Sequence, residues 1–229
     1  MKQIVYTKPG VALIDLPEPQ IQRDNDVKIK VAYASVCGSD LHVLHGHYDE
    51  LLPAGAPMGH EASGYVAELG PAATTKGLTI GDKVTYYFNE YCGTCHYCRN
   101  GKEHFCLNVR RDTAAMSEYM VVSEQQVYKL ETDADMAAAA LIEPVSVCLH
   151  GIDMCRIKAG TTVAVFGGGG IGQIMMQLAR LSGAVSFTMI EPITAKRETA
   201  RKLGADHIID PSTENTLYAA EKCIVVQKN

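Results

Sequence analysis

Thr162-Val-Ala-Val-Phe166 runs straight into Gly167-Gly-Gly-Gly-Ile-Gly172, and how these residues are read decides the fold. A short valine-rich apolar run predicts a buried strand. The glycines fit G-x-G-x-x-G, and the pattern after them turns helical to about Ser182. A glycine motif by itself is a weak signal. Between a strand and a helix it is strong, because amides at the helix start can then meet a pyrophosphate. Working outward, Val185 to Ile190 predicts a second strand, Thr194 to Leu203 a second helix stopped by Gly204, and His207 to Ile209 a short third strand. This strand–helix–strand–helix–strand order implies a parallel sheet. Glu191 ends the second strand, placed to hydrogen-bond adenosine ribose hydroxyls and to repel a 2′-phosphate, which favours NAD over NADP. The expected cofactor contacts are Gly167, Gly169, Gly170, Ile171, Gly172, Glu191 and Arg197. Lys196 and Arg197 lie just beyond; either they flank the adenine or they form a solvated helix face.

Toward the N-terminus the pattern changes. Val27 to Val31, Ala62 to Leu69, Lys83 to Phe88, Glu118 to Val122 and Val127 to Leu130 read as strands, with turn signals at Gly59, Gly70, Gly81 and Asp82. Helical signal is thin before residue 133. Met136 to Ile142 is a strong helix former, and Pro144 suits the first position of a further helix reaching about Arg156. A domain boundary is therefore expected near residue 150. It separates a β-rich part, 1–150, from a dinucleotide-binding part, 151–229.

The chain has 229 residues, 47% hydrophobic and 21% charged, which predicts a soluble globular protein rather than a disordered one. No run of 18 apolar residues is present, and Met1 to Val5 lacks the apolar core of a signal peptide. The net charge of −5, without a basic block, argues against nucleic acid or an anionic membrane as partner. A reducing, cytoplasmic setting is expected for the eight cysteines.

Four of those cysteines, Cys92, Cys95, Cys98 and Cys106, form C-x2-C-x2-C-x7-C in a lobe spanning about 90–108. Two-residue gaps let neighbouring thiolates turn onto one ion, and the longer loop brings the fourth. Four thiolates close a tetrahedral shell, so a structural zinc is expected. An iron–sulfur cluster or free redox cysteines are the alternatives. A second set is dispersed: Cys37-Gly-Ser-Asp-Leu-His42, Gly59-His60-Glu61-Ala-Ser-Gly64, and Glu143-Pro144. Taken singly, these read as a small core residue, a satisfied core histidine and a helix N-terminal acid. Taken together, Cys37, His60 and Glu143 are one soft, one borderline and one hard ligand, suited to an open catalytic zinc.

At these residues the chain resembles the zinc-dependent medium-chain dehydrogenases of the alcohol dehydrogenase superfamily. The motifs occur there in the same order, and the resemblance covers residues 1 to about 210. Glu143-Pro144 points to the sorbitol or polyol, butanediol and threonine dehydrogenase branch, since ordinary alcohol dehydrogenases use Cys there. The resemblance implies an α/β fold with a β-rich lobe: a GroES-like β-barrel catalytic domain followed by a Rossmann doubly wound parallel sheet, incomplete here. It implies Cys37, His60 and Glu143 as ligands of the catalytic zinc, with Glu61 ligating through water or by exchange. Asp40 orients His60, and Ser39 and His42 form a proton relay. The implied reaction moves a hydride from a polyol or other secondary alcohol to NAD, with two zinc ions per chain and, in the full-length family, homo-oligomers.

The family's chains are longer. A complete dinucleotide fold has six strands, whereas three can be placed here, with Cys223 to Val226 a candidate fourth. The expectation is a C-terminally shortened form with little activity alone, whose homo-oligomer formation is doubtful. The alternative is a non-catalytic, zinc-stabilised binding or interaction module left by loss of the C-terminal third. A zinc-free quinone reductase fits less well, since it needs neither ligand set.

Overall fold

In the computed structural model, Lys2–Tyr6 (β1) and Val11–Asp15 (β2) pair as an antiparallel hairpin, ahead of the first strand expected from the sequence. The structure describes residues 1–8, 10–47 and 50–216. Next come Asp26–Ala34 (β3), Gly38–Leu44 (α1), Ala62–Leu69 (β4), Lys83–Tyr86 (β5), Asn89–Glu90 (β6), Arg110–Arg111 (β7), Tyr119–Ser123 (β8) and Val127–Lys129 (β9). Five of these strands form one antiparallel sheet in the order β8-β3-β4-β5-β9. Val27, Ile29, Val66, Val84, Met120, Val122 and Val127 are all buried in its core. Register shifts at Lys28/Ile29 and Val31/Tyr33 bend β3 against β4. Gly64 lies opposite Val31, where a Cβ would collide with the Lys30 carbonyl, so the close approach of β3 and β4 requires glycine.

The β-barrel expected of this unit does not form. The five-stranded sheet is open, and β1–β2 is a separate two-stranded sheet joined to its surroundings by the isolated bridges Gln3↔Ser117 and Val5↔Pro57. The reason lies in residues 119–129. β8 and β9, the two edges, come from one run of chain interrupted by a 3-10 turn, Glu124–Gln126. Inside the turn Gln125 N–H donates to Ser123 Oγ (3.4 Å) and Ser123 N–H to Gln126 Oε1 (3.0 Å), while Glu124 N–H donates to the Asn25 carbonyl and the Gln126 carbonyl accepts from Tyr87 N–H (each 2.9 Å). The antiparallel pairings make β8 and β9 run in the same sense, and strands joined by only three residues cannot pair in parallel, so these two edges do not close the sheet.

Glu124 gives this turn a pH dependence. Its buried carboxylate accepts from Thr75 Oγ1 (2.7 Å), Lys76 N–H (2.9 Å) and Thr75 N–H (3.2 Å). Burial pushes the carboxyl up, but these hydrogen bonds and the Lys76 ammonium outweigh it and hold it below its ordinary value. A depressed acid stabilises the fold above its unfolded pKa, about 4.3 for Glu. That stabilisation is lost as pH falls through the folded value. Glu124→Gln should therefore lower stability at pH 7 by about 1–3 kcal/mol, and the deficit should shrink on acidification. Urea unfolding of both proteins at neutral and acid pH checks this; a pH-independent deficit contradicts it.

Asp135 caps Met136–Ala139 (α2), its carboxylate accepting from Ala137 N–H at 2.9 Å. The break after α2 falls earlier than the sequence suggests. Ile142–Cys155 (α3) begins before Pro144, which sits in the first turn where a missing N–H breaks no helical bond. By internal packing the chain divides into two units, Met1–Glu143 and Pro144–Asn229. In the second, Thr162–Phe166 (β10), Ser186–Ile190 (β11) and His207–Ile209 (β12) form a parallel, Rossmann-like sheet in the order β10-β11-β12. Gly170–Leu181 (α4) and Thr194–Lys202 (α5) are the crossover helices. Ile152, Met176, Ala179, Phe187, Met189 and Ala200 are the buried core. Cys223 to Val226 lies outside the described residues. Among those described, no helix is long and apolar enough to cross a membrane.

Candidate functional site

The four-cysteine lobe has little other structure to hold it. The two-residue strands β6 and β7 close its base, and two 3-10 turns, Cys98–Asn100 and Glu103–Phe105, carry the chain round. One ligand atom each from Cys92, Cys95, Cys98 and Cys106 falls within 4.8 Å of the others. Backbone N–H groups point at the sulfurs: Cys95 N–H at Cys92 Sγ, Cys92 N–H at Cys106 Sγ and Asn108 N–H at Cys106 Sγ, each 3.4 Å. The Thr94 hydroxyl, aided by N–H groups of Thr94 and Cys95, pulls the Cys92 thiol down to about 5. Burial and then the neighbouring thiols push Cys98 up to about 12. Backbone N–H groups of Cys98 and Leu107 lower Cys95 as well, so Cys92 and Cys95 ionise readily while Cys98 holds its proton against them. A divalent cation would let all four ionise, so the donor set fits a closed tetrahedral zinc site.

The second set is assembled by β3, α1, and the segment leading into β4. Cys37 is the N-cap of α1, and its N–H donates to Asp40 Oδ2 at 2.9 Å. Asp40 is buried, with Oδ1 4.0 Å from His60 Nδ1. The His60 ring also packs on Phe88, with ring centroids 5.1 Å apart. Ligand atoms of Cys37, His60 and Glu61 lie within 4.8 Å of one another. Glu143, in the first turn of α3, is outside that group but electrostatically close to it. Burial raises its carboxyl above the usual range, His60 opposes the rise, and Glu61 adds to it. A thiol, an imidazole and a carboxylate converging with a further buried acid nearby fit a zinc ion in an open site. Ser39 lies in the first turn of α1 and His42 in its last. His42 Nδ1 is 2.9 Å from His47 Nδ1, a partner the sequence reading did not single out.

In the second unit the glycine loop is held by Glu191. The buried Glu191 carboxylate accepts from Gly168 N–H (2.6 Å) and Ile193 N–H (2.8 Å). Burial raises its pKa, but those two N–H groups, with Lys196 and Arg197, win and keep it below the ordinary range. The loop therefore meets a fixed negative charge at the end of β11. Gly172 could carry no Cβ without striking the Gly167 carbonyl, so the turn from β10 into α4 is as tight as glycine allows. Gly169 caps α4, and Gly170, Ile171 and Gly172 form its first turn. A helix start with a tight glycine turn and an ionised acid beside it fits a dinucleotide. The Arg197 guanidinium donates to the Glu191 (2.8 Å) and Pro192 (2.6 Å) carbonyls and pairs with Asp210 at 2.9 Å. It is tied to its own unit on each of these sides.

Residues 23–132 match the alcohol dehydrogenase GroES-like domain family. The chain is similar to 2-dehydro-3-deoxy-L-galactonate 5-dehydrogenase of Pseudoalteromonas atlantica: 34% identity, covering 84% of this chain and 57% of the relative. It is also similar to sorbitol dehydrogenase of Halalkalibacterium halodurans, with 34% identity over 92% of this chain and 62% of the relative. Among solved structures, alcohol dehydrogenase TADH of Thermus sp. ATN1 superposes with a TM-score of 0.88 at 28% identity, covering 97% of this chain and 66% of that one. The chain thus spans about three fifths of the length of the curated relatives it matches.

Proposed function

Since the chain has the fold of the zinc-binding medium-chain dehydrogenases of the alcohol dehydrogenase superfamily, we propose that it is the catalytic and adenosine-binding portion of an NAD-dependent zinc oxidoreductase acting on a polyol or other secondary alcohol. The observation that carries this reading is the convergence of Cys37, His60 and Glu61 in one group, separate from the four-cysteine lobe. When bound, zinc supplies Lewis acidity toward the substrate oxygen and NAD accepts the hydride. Cys37, His60 and Glu61 would hold the open-site ion, with Glu143 as a further acid beside them. Asp40 keeps the His60 ring oriented. Ser39 takes the proton of the substrate hydroxyl, and His42, near the other end of α1, passes it toward solvent. The amides of Gly167 to Gly172 hold the pyrophosphate, and Glu191 the adenosine ribose.

Turnover by the 229-residue polypeptide alone is expected to be low. Hydride transfer needs the nicotinamide and the carbinol carbon held at about 3–3.5 Å, and the described parallel sheet has three strands where a complete dinucleotide fold has six. The test is zinc-loaded protein assayed for NADH formation on a panel of polyols and secondary alcohols, with ADP-ribose binding by calorimetry as a readout that needs no turnover. Binding with slow turnover is expected. Turnover in the usual range of roughly 1 to 10³ per second contradicts the low activity. No binding at all would favour the non-catalytic zinc-stabilised module.

Cofactor choice follows from the buried Glu191 charge. Glu191→Ala should relax discrimination against the 2′-phosphorylated cofactor, because carboxylate–phosphate repulsion disappears. The readout is the ratio of affinities for ADP-ribose and its 2′-phosphate; an unchanged ratio would place Glu191 away from the ribose.

A further inference from the structure

The last ladder pair of β3 and β4 at the site is Ala34↔Ala62. One position further out, Ser35 faces Glu61, and Ser35 N–H donates to the Glu61 carbonyl at 3.1 Å. The Ser35 hydroxyl donates to Glu61 Oε2 and lies 3.5 Å from the Ala140 carbonyl, three residues ahead of Glu143. Glu61 is only 4% exposed. A buried carboxylate requires hydrogen-bond donors, and the Ser35 hydroxyl provides one. A hydroxyl carries one proton and serves one acceptor at a time.

We propose that Ser35 is the positioning residue for Glu61: its hydroxyl fixes one carboxylate oxygen and thereby sets how Glu61 meets an ion held by Cys37 and His60. The proposal rests on the open-site reading above. Without the hydroxyl the Glu61 carboxylate is free to rotate, and it can then bind with both oxygens or withdraw. Groups that orient a metal ligand from behind change metal affinity by roughly 10- to 100-fold when removed.

The test is cobalt(II) substitution in the whole 229-residue chain, followed by visible absorption. Cys37→Ser identifies the bands that belong to the open site, and the four-sulfur bands report that each variant is folded. In Ser35→Ala, or in Ser35→Gly as a second hydroxyl-free variant, the Cys37-dependent bands should shift and cobalt affinity should fall roughly 10-fold. Ser35→Thr, which keeps the hydroxyl, should restore the parent spectrum. Identical Cys37-dependent bands and affinity in the hydroxyl-free variants would overturn the Ser35 role and leave the open site standing. Absence of any Cys37-dependent band in the parent would overturn both.

Discussion

Cys95→Ala is expected to unfold the four-cysteine lobe and to give the largest loss of stability of any single substitution considered. The lobe has two-residue strands at its base and two 3-10 turns, and its large apolar side chains face outward: Phe105 is 59% and Leu107 70% exposed. Of its four cysteines only Cys106 is buried. There is almost no apolar core to compensate for a lost ligand. A structural zinc contributes an apparent free energy of about 10–16 kcal/mol in zinc-finger peptides, comparable with the roughly 5–15 kcal/mol stability of a whole domain. Thermal unfolding and limited proteolysis across 92–108 are the measurements. A markedly lower Tm with cleavage confined to the lobe is the expected pattern, and chelation of the parent protein should reproduce it. An unchanged Tm with a protease-resistant lobe would show that the sulfurs hold no ion.

His60→Ala should behave in the opposite way. Its site sits on an already formed sheet whose core, from Val27 to Val127, does not include the ligands. The His60 ring packs on Phe88, so truncation leaves a cavity and costs stability in the ordinary range of about 0.5–3 kcal/mol. The ligand set, however, falls from three converging groups to two. The variant should bind one zinc fewer than the parent and keep its four-sulfur site. Metal analysis and Tm separate the two variants without any need for turnover. Equal losses of Tm in Cys95→Ala and His60→Ala, with full metal content in the latter, would contradict the division into a closed and an open site.

Much of this could be read from the chain beforehand, for reasons that are local. The strand–glycine–helix order at 162–181 is fixed by short-range chemistry, and the parallel sheet follows from it. The four cysteines declare themselves because their spacing alone brings them together. Other features depend on tertiary placement. α1 has only seven residues and begins with glycine, so its helical pattern is too short to show, although it positions Asp40, Ser39 and His42. The resemblance implied Cys37, His60 and Glu143 as ligands with Glu61 ligating through water or by exchange, and the ligand atoms of Cys37, His60 and Glu61 converge in one group. Neighbours in a regular strand point to opposite faces. His60 and Glu61 both reach the group because they precede β4 instead of lying in it. Ser35 and His47 carry no sequence signal: Ser35 meets Glu61 only through the β3–β4 register, and His47 meets His42 only through the turn after α1. The expected barrel failed for a similar reason, since strand-like runs do not reveal that the runs on either side of Glu124–Gln126 become the two edges of one sheet and run in the same sense.

The two ligand sets point to two chemically distinct zinc centres in one chain, an arrangement open to measurement. Its most direct test is zinc quantitation together with zinc X-ray absorption on purified protein, comparing the parent with Cys37→Ser. Two zinc ions per chain are predicted, with a mixed sulfur and nitrogen/oxygen shell. In Cys37→Ser one ion should be lost and the remaining shell should become all sulfur. One ion or none in the parent, or a parent spectrum of sulfur alone, would rule out a second, open zinc site in this chain.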